Sequence, residues 1–149
     1  MTRAFAFFIG LVVLYGFDAS GASPKEIVHL WTQLYGQDTA QAALLTTGRF
    51  RHWQEPAKWA AGKQAEIEKF RFQHLGGEVV KAWVSEKSAT IFLDARVRTS
   101  LGVITRMEVY GLRRLNGRWL IDTVRVTDEV RPRQASALAS IRRLSPCFI

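Results

Sequence analysis

The chain changes its hydrophobic period once along its length. From Ser23 to about Gly77 apolar residues recur every three to four positions, whereas from Glu78 to Val126 they alternate. The first pattern predicts amphipathic helices and the second half-buried strands. In SPKEIVHLWTQLYG, Ser23 stands three residues before Glu26, the spacing of a capping box, and Pro24 takes the first helical position, where its missing N–H costs nothing. Ile27, Leu30, Trp31, Leu34 and Tyr35 then form one apolar stripe, which Gly36 ends. Asp38 is placed to cap a second, short helix, TAQAALLT. After the connector GRFRHWQEPAKWAAG a third helix starts near Pro56 and runs to Gly76-Gly77, with Trp59, Ile67, Phe70 and Leu75 facing inward.

Four strands follow: EVVKAWVSE, ATIFLDARVR, VITRMEVYGLRRL and RWLIDTVRV. The second alternates cleanly, with Ala89, Ile91, Leu93, Ala95 and Val97 directed to a core. Turns at EKS, at TSLG and at Asn116-Gly117 join the strands into an antiparallel meander, and the Asn-Gly pair favours the positive φ angles of a type I′ hairpin. On the third strand Val103, Thr105, Met107 and Val109 share one face and Arg106, Glu108 and Tyr110 the other, which polarity assigns to the outside. On the fourth, Trp119 and Ile121 face the core and Asp122 the outside, with Leu120 and Val124. The fold class is α+β, N-terminal helices packed on a curved four-stranded antiparallel sheet.

The N-terminus alters the picture of where the protein works. A basic start, MTR, precedes 14 apolar residues, Ala4 to Phe17, and the small residues of DASGAS. A membrane-spanning helix needs roughly 20 apolar residues, so this run fits a signal peptide better than an anchor. Cleavage is expected between Ala22 and Ser23, giving a signal segment 1–22, a domain 23–127 and a basic tail 128–149 with a short helix around Gln134 to Leu144. The mature protein is then exported, to the periplasm or the medium. Its formal charge stays at +8, because the cut removes one basic residue, Arg3, and one acidic, Asp18. The single cysteine, Cys147, allows no internal disulfide, so stability rests on packing.

The order of helices and strands, in a chain of this size and with these motifs, resembles the nuclear transport factor 2-like, or cystatin-like, superfamily. Within it the similarity is to small exported bacterial domains of unknown function. The residues that carry the resemblance are Ser23-Pro24-Lys25-Glu26 with Trp31, then Gln37-Asp38, Gly76-Gly77, Ala89-Thr90-Ile91 and the hairpin Gly117-Arg118-Trp119-Leu120-Ile121. The resemblance implies a cone-shaped α+β domain and, since similar domains pair sheet against sheet, a homodimer. It implies no single activity, because the superfamily holds isomerases, dehydratases, transport factors and accessory domains.

Enzymes of this fold place an Asp or His base in an apolar pocket with a Tyr or acid to stabilise an oxyanion. Here the acids Asp94, Glu108 and Asp122 fall on the expected outer face, where Arg96, Arg106 and Arg125 or their neighbours pair with them, and a structural role follows. An acid found deep inside near Tyr35 or Tyr110 would reverse that reading. His29, His52 and His74 lack metal-ligand spacing, and no GxSxG or glycine-rich phosphate loop occurs, so no metal, cofactor or catalytic residue is assigned.

The connector carries the candidate site. Arg49, Arg51, His52, Trp53 and Trp59 combine cations with large aromatics, and Tyr35 of the first helix is added as a lining residue. The competing expectation is that Phe50, Trp53 and Trp59 plug the interior while the arginines are solvated. The leading function is a non-catalytic exported domain that binds an unknown protein or small molecule. Alternatives are a small pocket enzyme of isomerase or dehydratase type, and an envelope-surface protein whose arginines bind anionic lipid or polysaccharide. Nucleic acid is a poor partner for an exported chain without a reading motif. Membrane contact would need an uncleaved N-terminus or the basic surface.

Overall fold

The computed structural model describes residues 21–127; the expected tail helix, Cys147 and nearly all of the expected signal segment lie outside them. Three helices precede four strands: α1 (Pro24–Leu34), α2 (Thr39–Ala43), α3 (Pro56–Phe70), β1 (Gln73–Val84), β2 (Ser88–Thr99), β3 (Gly102–Leu115) and β4 (Arg118–Thr127). The strands form one antiparallel sheet in the order β1-β2-β3-β4, the expected meander.

The helix starts are as the sequence implies. Ser23 and Glu26 form both halves of a capping box, and the Asp38 carboxylate accepts from the Gln41 N–H at 3.0 Å to cap α2. Of the α1 stripe, Ile27 and Trp31 are buried and Leu30, Leu34 and Tyr35 partly so, Val28 outside the stripe is buried as well, and α1 is the helix that packs on the sheet most directly. α3 packs chiefly on α2, which leaves clefts between α3 and the sheet.

The end of α3 corrects the sequence expectation. The helix stops at Phe70 and not at the glycine pair, because Arg71 adopts a left-handed conformation (φ 51°) and the Ser100 N–H takes the Phe70 carbonyl at 2.7 Å. Pairing with β2 from Gln73 onward then outweighs helix propensity. Phe70 is consequently exposed, and Leu75 lies in β1. Gly76 and Gly77 sit inside β1 beside a bulge; a side chain at Gly77 would press on Leu93 and the Asp94 carbonyl. At the β3–β4 turn, Asn116 (φ 50°) and Gly117 (φ 78°) have the positive angles expected.

Ala89, Ile91, Leu93, Ala95 and Val97 of β2 are all buried, and they join Trp31, Trp59, Leu112, Trp119 and Ile121 in the core. The register carries a second correction. Ser100 and Leu101 form a two-residue turn that sets Thr99 opposite Gly102, so Ile91 pairs with Tyr110, Leu93 with Glu108 and Ala95 with Arg106. Directly paired residues share a face, so Tyr110, Glu108 and Arg106 face the helices and not the outside.

On β4, Trp119 and Ile121 are buried as expected. Asp122 is not outward: Gly111 pairs with Thr123 and Leu112 with Ile121, so Asp122 is the extra residue of a β-bulge and is buried. Past the bulge the alternation is displaced, and Val124 packs on the core. The chain after α2 closes on the free side of β4: the Ile121 N–H donates to the Leu45 carbonyl at 2.8 Å and the Thr47 N–H to the Ile121 carbonyl at 2.9 Å.

Candidate functional site

Two features stand out between the helices and the sheet, a buried polar cluster and an open cleft beside the connector. The cluster centres on Glu108, only 1% exposed. Its Oε1 accepts from Arg106 Nε at 2.8 Å and Nη2 at 2.5 Å, and its Oε2 accepts from the Tyr110 hydroxyl at 2.5 Å. His74 Nε2 lies 3.0 Å from Oε2, while the buried Nδ1 of His74 has no partner among the described residues. Phe72 meets the His74 ring edge-on at 4.9 Å and lies under the Arg106 guanidinium at 5.1 Å.

Alternation on β3 aligns Arg106, Glu108 and Tyr110, and β1 brings His74 in from the other side of β2, opposite Val97. Burial alone would raise the Glu108 pKa. The hydrogen bonds from His74 and Tyr110 and the charges of His74 and Arg106 outweigh it and hold the carboxyl at about 2. Burial and the neighbouring carboxylate push the Tyr110 hydroxyl far above its usual range, so it remains a donor. The expectation that acids stay outside is therefore overturned for Glu108, which lies inside beside Tyr110; it does pair with Arg106, but inside and along its own strand instead of across strands on the outer face.

The cleft, of about 770 Å³, lies between the connector, α3 and the end of β4. Its floor is Phe50 and the buried Trp59, and Arg49, His52, Lys63 and Arg125 line its walls with Asp122 and Glu66. The bulge turns Asp122 toward the connector, where its Oδ1 accepts from the Thr47 hydroxyl at 2.7 Å and its Oδ2 lies 3.5 Å from Arg49 and 3.4 Å from Arg113. Lys63 is tied to Glu66 at 2.7 Å.

Of the six residues singled out from the sequence, the cleft brings together Arg49, His52 and Trp59. Arg51 is elsewhere engaged: its Nη1 lies within hydrogen-bonding reach of the Ala43 and Thr46 carbonyls and the Thr46 hydroxyl, and its Nε donates to the Gln54 carbonyl. It ties the connector to the end of α2. Trp53 is 82% exposed, so it does not plug the interior; its ring lies on Gly48, and it and His52 hold left-handed backbone angles of 63° and 52°. Phe50 and Trp59 do fill the interior, Phe50 against Trp31 and Trp59, both at 5.6 Å. Tyr35 stacks on the far side of Trp31 at 4.7 Å and lines a different cavity.

The residues missed by sequence reasoning are His74, Arg106, Glu108, Tyr110 and Asp122. A signal existed for three of them: with Ser100 and Leu101 as the turn, the apolar row of β2 requires Tyr110, Glu108 and Arg106 to lie inside. Among the described residues, no three His, Cys, Asp or Glu side chains converge as a metal site would require.

No family model and no curated protein matches the chain. Solved structures do. RPA3114, a SEC-C motif containing protein from Rhodopseudomonas palustris, is 18% identical with a TM-score of 0.59, covering 74% of this chain and 81% of its own. A protein of unknown function with a cystatin-like fold from Nostoc punctiforme is 12% identical with a TM-score of 0.55, covering 72% of this chain and 90% of its own. Bd1075 of Bdellovibrio bacteriovorus is 12% identical with a TM-score of 0.50 over 69% of this chain, which spans 38% of that protein's length. At these identities the likeness shows a fold, the cystatin-like α+β architecture that the resemblance implied.

Proposed function

We propose that this chain is an exported, non-catalytic binding domain that holds a small aromatic anion in the cleft between its connector and β4. Residues 1–22 serve in this reading as the export signal, removed near Ala22. The observation that supports it is the cleft lining. Arg49, Lys63 and Arg125 outnumber Asp122 and Glu66 by one charge over a floor of Phe50 and Trp59. Such a surface suits an aromatic ring with an acidic group, the ring on the tryptophan floor and the anion at the guanidinium groups.

Naphthalene disulfonate, a rigid aromatic dianion, is the probe. Titration should shift the backbone signals of Arg49 and Arg125 and the Trp59 indole signal. Arg49→Ala combined with Arg125→Ala should weaken binding roughly tenfold or more while leaving the melting temperature close to that of the parent. Equal binding of neutral naphthalene, or unchanged affinity in the double variant, would overturn the proposal.

Acid–base catalysis is the second reading, favoured by the interior position of Glu108 beside Tyr110. Its chemistry argues the other way. A general base works best with a pKa near the operating pH, and a carboxylate at about 2 with both oxygens engaged is a weak one.

A further inference from the structure

A second cavity, of about 450 Å³, opens between the C-terminal end of α3 and the β2–β3 turn. We infer that it is a binding site for an amphipathic monocarboxylate, an acid with a single carboxylate on an apolar body such as a fatty acid. The inference is independent of the cleft reading, since it uses different residues.

Arg106 supplies the recognition. Its Nε and Nη2 are both committed to Glu108, and Phe72 supports the guanidinium from one face. No described residue takes a hydrogen bond from its Nη1, and the side chain keeps 23% of its surface exposed where it lines the cavity. The guanidinium is thus held by its buried edge with the other edge free, so little rotamer freedom remains to be lost when a carboxylate binds there. Tyr35 lines the same cavity, and burial raises its pKa, so its hydroxyl stays a donor.

The remainder of the cavity is apolar. Phe70 is 53% exposed, Ile104 45% and the turn residue Leu101 96%, and all three line it. A hydrocarbon chain lying across them would remove that apolar surface from water, which favours binding. The carboxylate at the rim, Glu66, is already paired with Lys63 at 2.7 Å. Glu108 lies behind Arg106, so an incoming acid meets the guanidinium first.

The test titrates the full chain with decanoate and with decanol, followed by calorimetry and backbone amide shifts. Decanoate should bind saturably, with shifts at Arg106, Leu101 and Phe70, and decanol at least about tenfold more weakly. Arg106→Lys keeps a cation beside Glu108 and so preserves the fold, but it loses the forked edge; it should cut the preference for decanoate over decanol about fivefold or more. Leu101→Asp, at an exposed turn, should weaken decanoate without lowering the melting temperature. Equal binding of acid and alcohol, a preference undiminished in Arg106→Lys, or shifts confined to Arg49 and Arg125 would each overturn the assignment. Because the naphthalene probe is read at Arg49 and Arg125, failure of one proposal leaves the other standing.

Discussion

The Glu108 carboxylate and the Tyr110 hydroxyl meet at 2.5 Å, two residues apart on one strand and both shut off from water. Such a contact in a protein interior is stabilising only while the whole set is complete. Arg106, Tyr110 and His74 between them engage both Glu108 oxygens.

Removing the centre of that set should therefore be costly. Glu108→Ala leaves Arg106 and His74 without their shared partner, and by the usual cost of breaking a buried ion pair it should lower stability by ~3–5 kcal/mol. Urea unfolding monitored by circular dichroism gives the value, and a loss below about 1 kcal/mol would show that the cluster contributes little.

Acid should weaken the fold through the same group. The folded-state Glu108 pKa of about 2 lies below its ordinary value of 4.5, so between these values the unfolded chain binds the proton that the folded one does not. The contribution, on the order of 3 kcal/mol, is complete above pH 4.5 and disappears as pH falls toward 2. Tyr110→Phe removes one of the donors that hold the pKa down and should move the onset of acid unfolding to higher pH. Unfolding curves taken across this pH range check both statements.

The two connector tryptophans should separate cleanly. Trp59, at 6% exposure, fills the space beside Phe50 and Trp31, and Trp59→Ala should cost ~3–5 kcal/mol. Trp53, at 82%, should give a change within about 0.5 kcal/mol as Trp53→Ala. Thermal melts of the two variants decide it.

Gly111 lies against Thr123 at the β4 bulge, so closely that an added Cβ would collide with the threonine hydroxyl. Gly111→Ala should destabilise by ~1–3 kcal/mol, and Thr123→Ala in the same chain should restore most of the loss. An unrestored loss would place its origin in the backbone of the bulge.

The legible part of this fold consists of local chemistry. Ser23 with Glu26, Asp38, the β2 row from Ala89 to Val97, and Asn116-Gly117 each carry their structural meaning in adjacent residues, and each is found as read. On the third strand polarity is a poor sign of exposure. Burial of Arg106, Glu108 and Tyr110 is stable because they satisfy one another, a property of the set that no single residue displays. Asp122 and the end of α3 depend on contacts made at a distance, the bulge with β3 and the Ser100 N–H on Phe70. Trp53 shows the converse, a large aromatic left outside by the left-handed turn of its loop.

Every open sheet carries two rows of backbone groups able to recruit a foreign strand. Here the half of β4 nearest the hairpin already has a neighbour, because Leu45 and Thr47 bond to the N–H and carbonyl of Ile121 on its free side. On the opposite border β1 is interrupted twice, at Leu75 and at Val80, so it offers no long uniform ladder. The connector after α2 thus acts as a guard strand as well as a wall of the cleft. Changes that free residues 45–47 from Ile121 would expose β4 to pairing between copies, and aggregation would appear before any loss of the helices.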